Sequence, residues 1–470
     1  MPILPSPFAM AILLLWIPVT ILLFGNKSPH KAAALSLILG VFLLPAAQEV
    51  IVLPVIPHME RRTVIPTAIF IASLVRKKPL FRDVRVGKAV GICFLLIGLA
   101  DILQVFTNFD ILRYGPVLVP GTLPQNTLTF MMYDALQIGV MFGLGAAFGR
   151  EPERLKYFLI CWLTTAVLYV PLAATEVRLS PRVNIWVYGY LQHDITQMVR
   201  QGGFRPIVFM THSLEVALTI AASTLIGRLL QGSKVRIVGM SVGAASWLLT
   251  VLLVLCKSAA ALSYGVLGYL MQKVLSPGLR VLIAIILAVV VLTYPVARLN
   301  AWITKENTAP LVSGFGAERT SSLLFRLGQE DELLQKLQQR PWAGWGGFAR
   351  MHVYDKYGRD LSTTDGSWII ELGSGGTIRF LGVFGILTAP IFAMRRTVAR
   401  AARTSRADAS MFASLCLLSA FMTLDLLPNS FFNYLAFTVA GVLCGISDRM
   451  RRDPVNYWET MTSAAAASNV

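Results

Sequence analysis

Arg319 and Arg326 stand seven residues apart in the stretch ERTSSLLFRLGQEDELLQKLQQRPWAGWGGF, Glu318 to Phe348, with Ser322 between them. On a helix that spacing brings both guanidiniums to one face, about 10 Å apart along the axis. Arginine keeps its charge and offers a planar fork of donors, so two forks on one face suit the oxygens of a diphosphate. The alternative use of the pair is a solvated helix face with Glu318 and Glu330 as surface partners, which is worth little energetically. Asp331 to Arg340 predicts a short amphipathic helix with Leu333, Leu334 and Leu337 as its buried side, opened by acidic residues, ended by Arg340 and stopped by Pro341. Arg340 and Arg350 read as surface residues.

Other polar residues interrupt apolar surroundings. Arg205, in GGFRP, opens an apolar stretch at 206–230, where glycines let a backbone approach a ligand and a helix amino terminus favours an anion. It is a candidate phosphate or sugar contact, or else an interfacial arginine whose stem lies along the apolar surface. Lys257, in CKSAA, is a second candidate diphosphate contact with the same alternative. His212 and Glu215 fall inside the 206–230 stretch, and His212 lies seven residues beyond Arg205, on nearly the same helical face. They read equally as a ligand-contacting group or as a hydrogen-bonded packing pair. Packing pairs are the favoured reading for Asp101 with Gln104, Asp134 with Gln137 and Asp425 with Asn429. In STTDGSWIIELGSGGTIRFLG, residues 362–382, Asp365 is placed either to take a proton from a hydroxyl or to cap a helix beginning at Gly366. His352 is the substitute base if Asp365 only caps.

The elements that must hold these groups are membrane helices. The 470 residues are 55% hydrophobic and 14% charged, and the mean hydropathy is +0.63. That is too apolar for a soluble chain of this length. The expected fold class is all-α, a polytopic integral membrane protein of about twelve to fourteen spans. Apolar stretches fall near 8–25, 31–47, 62–76, 86–107, 127–148, 156–177, 206–230, 236–255, 259–273, 280–300, 379–395, 409–427 and 430–446. Alternate connections (26–31, 76–88, 149–156, 228–236, 273–280, 395–406) and the segment 447–453 hold 24 of the 42 Lys and Arg, which marks them as cytoplasmic. The intervals 178–205 and 301–378 are then expected on the outer face. The organisation expected is a bundle at 1–300, a long outer loop at 301–378 carrying the reactive motifs, three further spans at 379–446 and a cytoplasmic tail at 447–470. A 78-residue connection is too long to be idle. The residues before 8 carry no basic cluster, so the first apolar run reads as a span and not as a cleavable signal.

The net charge of +17 follows from these flanking clusters, so nucleic acid is not an expected partner. Cys93, Cys161, Cys256, Cys416 and Cys444 show no metal-ligand or redox spacing and read as small core residues. No internal repeat, no Gly-rich Lys-Ser/Thr phosphate loop and no Asp-x-Asp motif in the long interval is present, so neither nucleotide nor metal nor other cofactor is expected.

The order Arg319, Ser322, Arg326, then Pro341, Gly344, Gly346, resembles the long outer-face loop of the O-antigen ligase and polysaccharide polymerase family. Residues 362–382 resemble that family's second loop signature, with Asp365 where many ligases carry His, and Lys257 stands where the family usually has Arg after Ser. The resemblance implies a multi-span, GT-C-like glycosyltransferase of the bacterial inner membrane that works on the outer face. The donor it implies is an undecaprenyl-diphosphate-linked oligosaccharide, and the acceptor a growing saccharide or a lipid A core. A chain-length regulator is a further expected partner, beside membrane lipids. Polymerase is preferred over ligase. Arg319, Arg326, Arg205 and Lys257 would neutralise the diphosphate, with Ser322 and His212 as further contacts. Asp365 would deprotonate the acceptor hydroxyl in a single, inverting, metal-independent displacement. Two other classes stay open. A transporter or flippase of the same lipids predicts charges spread through the membrane interior. A different outer-face transferase, a peptidoglycan polymerase or an acyltransferase, is the other, and His212 would suit the acyltransferase.

Overall fold

A computed structural model describes residues 5–46, 56–200, 202–430 and 434–462, apart from the side chains of Phe315, Ala317, Glu318 and Arg319. In chain order the helices are α1 (Pro7–Asn26), α2 (Pro29–Leu43), α3 (Arg61–Val75), α4 (Lys88–Phe106) and α5 (Gln125–Asp134), the last running through a π-helical turn (Ala135–Val140) into α6 (Met141–Arg150). There follow α7 (Pro152–Leu179), α8 (Val183–Tyr188), α9 (Ser213–Leu229), α10 (Val242–Leu255), α11 (Ala259–Val274), α12 (Pro277–Leu299) and α13 (Lys305–Val312). The series closes with α14 (Ala317–Leu337), α15 (Phe348–Met351), α16 (Ser367–Thr404), α17 (Arg406–Leu424), α18 (Tyr434–Arg452) and α19 (Tyr457–Thr462). Three short antiparallel hairpins lie in connections, at 112–119, 199–204 and 236–241.

Among the described residues seven helices are long and apolar enough to cross a membrane: α1, α4, the α5–α6 unit, α7, α12, α16 and α17. The chain is a mostly helical, multi-pass membrane protein. Its polarity runs opposite to that of a soluble bundle: Leu95, Trp247 and Val274 are more than 60% exposed on helix surfaces, while Arg61, Asp101, Glu176, Glu215 and Glu371 are buried.

A helix lies over each apolar stretch of the sequence, and the alternate connections collect at two ends of the bundle. At one end Lys78 bonds the carbonyls of Phe24 and Lys27, Arg150 bonds Asp83 O and pairs with Asp448, and Arg280 bonds Ser410. At the other end Arg61 reaches residues 209–215 and Asn108 reaches Gly344.

Two boundaries differ from expectation. Helix α16 starts at Ser367, inside the 301–378 interval. In that interval one continuous helix, α14, replaces the short one expected over 331–340. It ends at Leu337, so Arg340 belongs to the following turn. Leu333, Leu334 and Leu337 are buried as their spacing requires.

Small residues set the closest helix crossing. Gly145 and Gly149 of α6 face Gly441 and Gly445 of α18, and a Cβ at any of the four would lie about 2 Å from a backbone oxygen of the other helix. Two small-xxx-small faces thus interlock backbone to backbone, the contact on which helices rely where lipid supplies no hydrophobic drive.

Candidate functional site

The 205–212 segment was expected to begin a helix and is instead unwound; α9 begins at Ser213. Pro206 has no amide hydrogen to give, and Val208 adopts φ 50°. Unpaired backbone at this depth must find partners within the protein, and buried side chains supply them. Glu176 accepts from the amides of Val183, Ile207 and Val208, Tyr169 accepts from Phe209 N, and Gln192 donates to the carbonyls of Val208 and Met210. Arg61 donates to Phe209 O, Thr211 Oγ1 and both oxygens of Glu215.

Arg205 therefore does not sit at a helix amino terminus. It is buried, and its Nε donates to Cys256 O at 3.4 Å. Lys257, next in the chain, turns toward the hairpin and donates to Arg200 O at 3.1 Å. His212 is not inside a helix either: it is the cap of α9, its Nδ1 accepting from Leu214 N, with its ring 4.7 Å from that of His193. Arg205 and Arg326 are its charged neighbours. Glu215 pairs with Arg61, not with His212.

Helix α14 is fastened from below. Arg298, at the end of α12, pairs with Glu330 and Asp331 at 2.9 Å each, and Glu330 also accepts from Tyr294 Oη and Trp368 Nε1. Glu330 is thus a buried anchor, not the surface partner of Arg319 and Arg326. One turn earlier, Arg326 donates to Pro428 O at 3.0 Å and pairs through Nε with Asp365 at 3.2 Å. Asp365 is no cap: Gly366 takes that position with no side-chain bond, and the first amide, that of Ser367, donates to the carbonyls of Leu426 and Asn429. Gln329 holds the approach by accepting from Thr363 N. Ser322 lies one turn above Arg326, half-buried. Arg319 is on the same helix, but its side chain lies outside the described residues.

The Pro341–Gly346 turn docks into a break in α16. Gly376, at φ 71° and ψ −169°, interrupts that helix. The turn takes up the freed groups: Thr377 N donates to Pro341 O, while Trp345 N and Gly346 N donate to the carbonyls of Gly373 and Ser374. A Cβ on Gly376 would lie 2.2 Å from Trp342 O. Gly376→Ala is expected to cost about 2 kcal/mol or more, the left-handed penalty plus the clash, read as a lowered unfolding midpoint in detergent; an unchanged midpoint would refute the docking.

Arg340 and Arg350 were expected at the surface, and both instead bind the turn to the 107–122 connection. Each pairs with Asp110 at 3.0 Å, and Arg350 is buried against Trp345 O and Pro120 O. Against the penalty of burial, the two guanidiniums hold the Asp110 carboxyl below its ordinary range. Lys336 lies over the Trp345 ring, and burial, helped by Arg350, brings it down to about 8. His352 Nδ1 lies 2.6 Å from Asp360.

Between these parts lies a cavity of about 590 Å³ whose wall includes Tyr133, Asp134, His193, Thr211, Thr364, Ser367, Glu371 and Arg379. Arg379 dominates it. The guanidinium bonds Asp134 at 2.5 and 3.0 Å, Glu371 at 2.6 Å and Asp101 at 3.0 Å. Asp101 keeps its expected bond to Gln104, and Asp425 is hydrogen-bonded to Asn429 and Tyr264. Asp134 turns to Arg379 instead of Gln137. Arg379 was missed because TIRFLG reads as the ordinary start of a span; a cation behind GSGG in an apolar run was the available signal. Thr364 and Ser367, on either side of Asp365 in the chain, line the cavity, and Asp134, Glu371 and Arg379 stand in its wall. The chain matches no protein-family model and no curated protein.

Proposed function

We propose that the chain is a membrane glycosyltransferase of the O-antigen ligase and polysaccharide polymerase type, with about twelve to fourteen crossings in a GT-C-like architecture once the shorter helices are counted. In this reading it sits in the bacterial inner membrane with the 301–366 loop outside. It extends a saccharide, or in the ligase variant charges a lipid A core, from an undecaprenyl-diphosphate donor.

The observation that carries the reading is the meeting of Arg326 and Asp365 at 3.2 Å, with side chains 28% and 35% exposed, where Thr364 and Ser367 line the cavity. A pair so open to water is worth at most about 1 kcal/mol, so diphosphate oxygens can take the guanidinium from the carboxylate. Asp365 is then left to accept the proton of the acceptor hydroxyl. That oxygen bonds the anomeric carbon as the bond to the phosphate oxygen breaks, inverting the configuration, and Arg326 holds the departing charge with Arg205 beyond His212. Arg319 and Lys257 join them in this proposal.

The test is direct. Purified protein given undecaprenyl-diphosphate repeat units, with chelator present, should build longer saccharides and release the lipid diphosphate. The buried charges of Asp101, Asp134, Glu371 and Arg379, beside a broken helix and a π-turn, favour a second reading as a transporter of the same lipids. Movement of labelled lipid-linked saccharide across proteoliposomes without any bond formation would select it.

Orientation has its own test. Lys356 is exposed on the loop. A cysteine there, in a background lacking the five native cysteines, is expected to react with an impermeant thiol reagent in intact spheroplasts; labelling only after permeabilisation would invert the topology.

A further inference from the structure

We propose that Asp101 and Asp134 share one exchangeable proton, which makes the Asp101–Asp134–Glu371–Arg379 cluster a proton-binding site in the cavity wall. Three observations meet here. The first is charge: α4 contributes Asp101, α5 contributes Asp134, and α16 contributes Glu371 and Arg379, so three carboxylates face one guanidinium. Fully ionised, the group would bury two uncompensated negative charges, which is costly in a dry interior.

The second is an orphaned atom. Asp101 is 1% exposed. Its Oδ1 accepts from Gln104 and Arg379, whereas Oδ2 is buried and accepts from no donor among the described residues. Arg379 Nη1 donates both to this Oδ1, at 3.0 Å, and to Asp134 Oδ2, at 2.5 Å, so the two carboxylates meet at one nitrogen. Two carboxylates brought together on one donor repel each other unless a hydrogen lies between them.

The third is access. Asp134, Glu371 and Arg379 line the polar cavity together with Gln104 and, from α3, Arg62. Asp101 and Asp134 also border an apolar cavity of about 530 Å³ walled by Phe70, Phe94 and Phe142, and of the two only Asp134 reaches the polar one as well. The proton therefore exchanges toward the polar side. The π-turn begins at the residue after Asp134, a distortion common where a helix presents a functional side chain. The site stands whether the cavity receives a diphosphate sugar or another solute.

Infrared spectroscopy of the purified protein in detergent tests it. At neutral pH the wild type should show the carbonyl stretch of a protonated carboxylic acid that moves when aspartate is isotopically labelled. Asp101→Asn supplies a neutral donor in place of the shared proton and leaves the cluster with the same net charge, so the band should vanish while the protein stays monodisperse. Asp134→Asn should remove the same band, and Asp365→Asn should leave it. No protonated-carboxyl band in the wild type, a band that moves with labelled glutamate, or one that survives both cluster substitutions would overturn the proposal. Absence of the band, or its movement with labelled glutamate, overturns the proposal without any variant.

Discussion

Asp365→Asn is expected to cut turnover with lipid-diphosphate repeat units by roughly 100-fold or more while the donor still binds. The competing use of this side chain, as a cap, is removed by the structure: α16 begins at Ser367 behind Gly366, and Asp365 reaches Arg326. Asparagine keeps an oxygen that can accept from Arg326 but loses the group that takes a proton, so the variant separates chemistry from positioning. A 100-fold loss is about 2.7 kcal/mol of barrier, well above what an exposed pair gives to stability. Near-normal turnover would remove the base role and pass it to His352 with Asp360. In the companion variant, Arg326→Ala, donor binding itself should fail, and lysine should rescue it poorly because it lacks the fork.

Arg61→Met should destabilise the protein by about 3–5 kcal/mol, the cost of stripping the partner from a buried ion pair. The side chains of Arg61 and Glu215 are 3% and 10% exposed. After the substitution Glu215 keeps, among the described residues, the amide of Thr211 as donor and no paired countercharge. Val41 O and Phe209 O lose their donor as well. Unfolding in mixed micelles measures the loss, and Arg61→Met with Glu215→Gln should recover much of it by removing the stranded charge. A single variant within about 1 kcal/mol of wild type would sink the claim that this pair holds the unwound segment.

The positions of the helices were legible because apolar runs of span length leave the backbone one solution in lipid. Partners close in sequence were legible too: Asp101 finds Gln104 one turn away, as i,i+3 geometry allows. What escaped was long-range. Nothing local in TIRFLG tells that Arg379 will meet Asp101 and Asp134, since the union depends on how α4, α5 and α16 pack. The break at Gly376 was hidden for a related reason: glycine is common in membrane helices, and only the docking of Pro341–Gly346 gives it φ 71°. Arg205 and His212 were placed on a helix because the apolar run begins at Pro206, whereas Glu176, Tyr169 and Arg61 compete successfully for that backbone. Helix α14 was cut short because the acidic residues at Asp331 looked like its beginning; Arg298 on Glu330 and Asp331 holds it together through that point.

The glycine faces of α6 and α18 bear on how the protein is made. Helix α6 enters the membrane while most of the chain is still unsynthesised, and the partner for Gly145 and Gly149 emerges only with Gly441 and Gly445. Until then a notched surface built for backbone contact lies open to lipid or to any neighbouring helix with a small-residue stripe. Chain order therefore puts the joining of an early and a late helix at the end of biogenesis, after an intermediate in which α6 lacks its partner. Slowing the arrival of α18, or filling its notch with Gly441→Leu, should trap that intermediate as a target for membrane quality control.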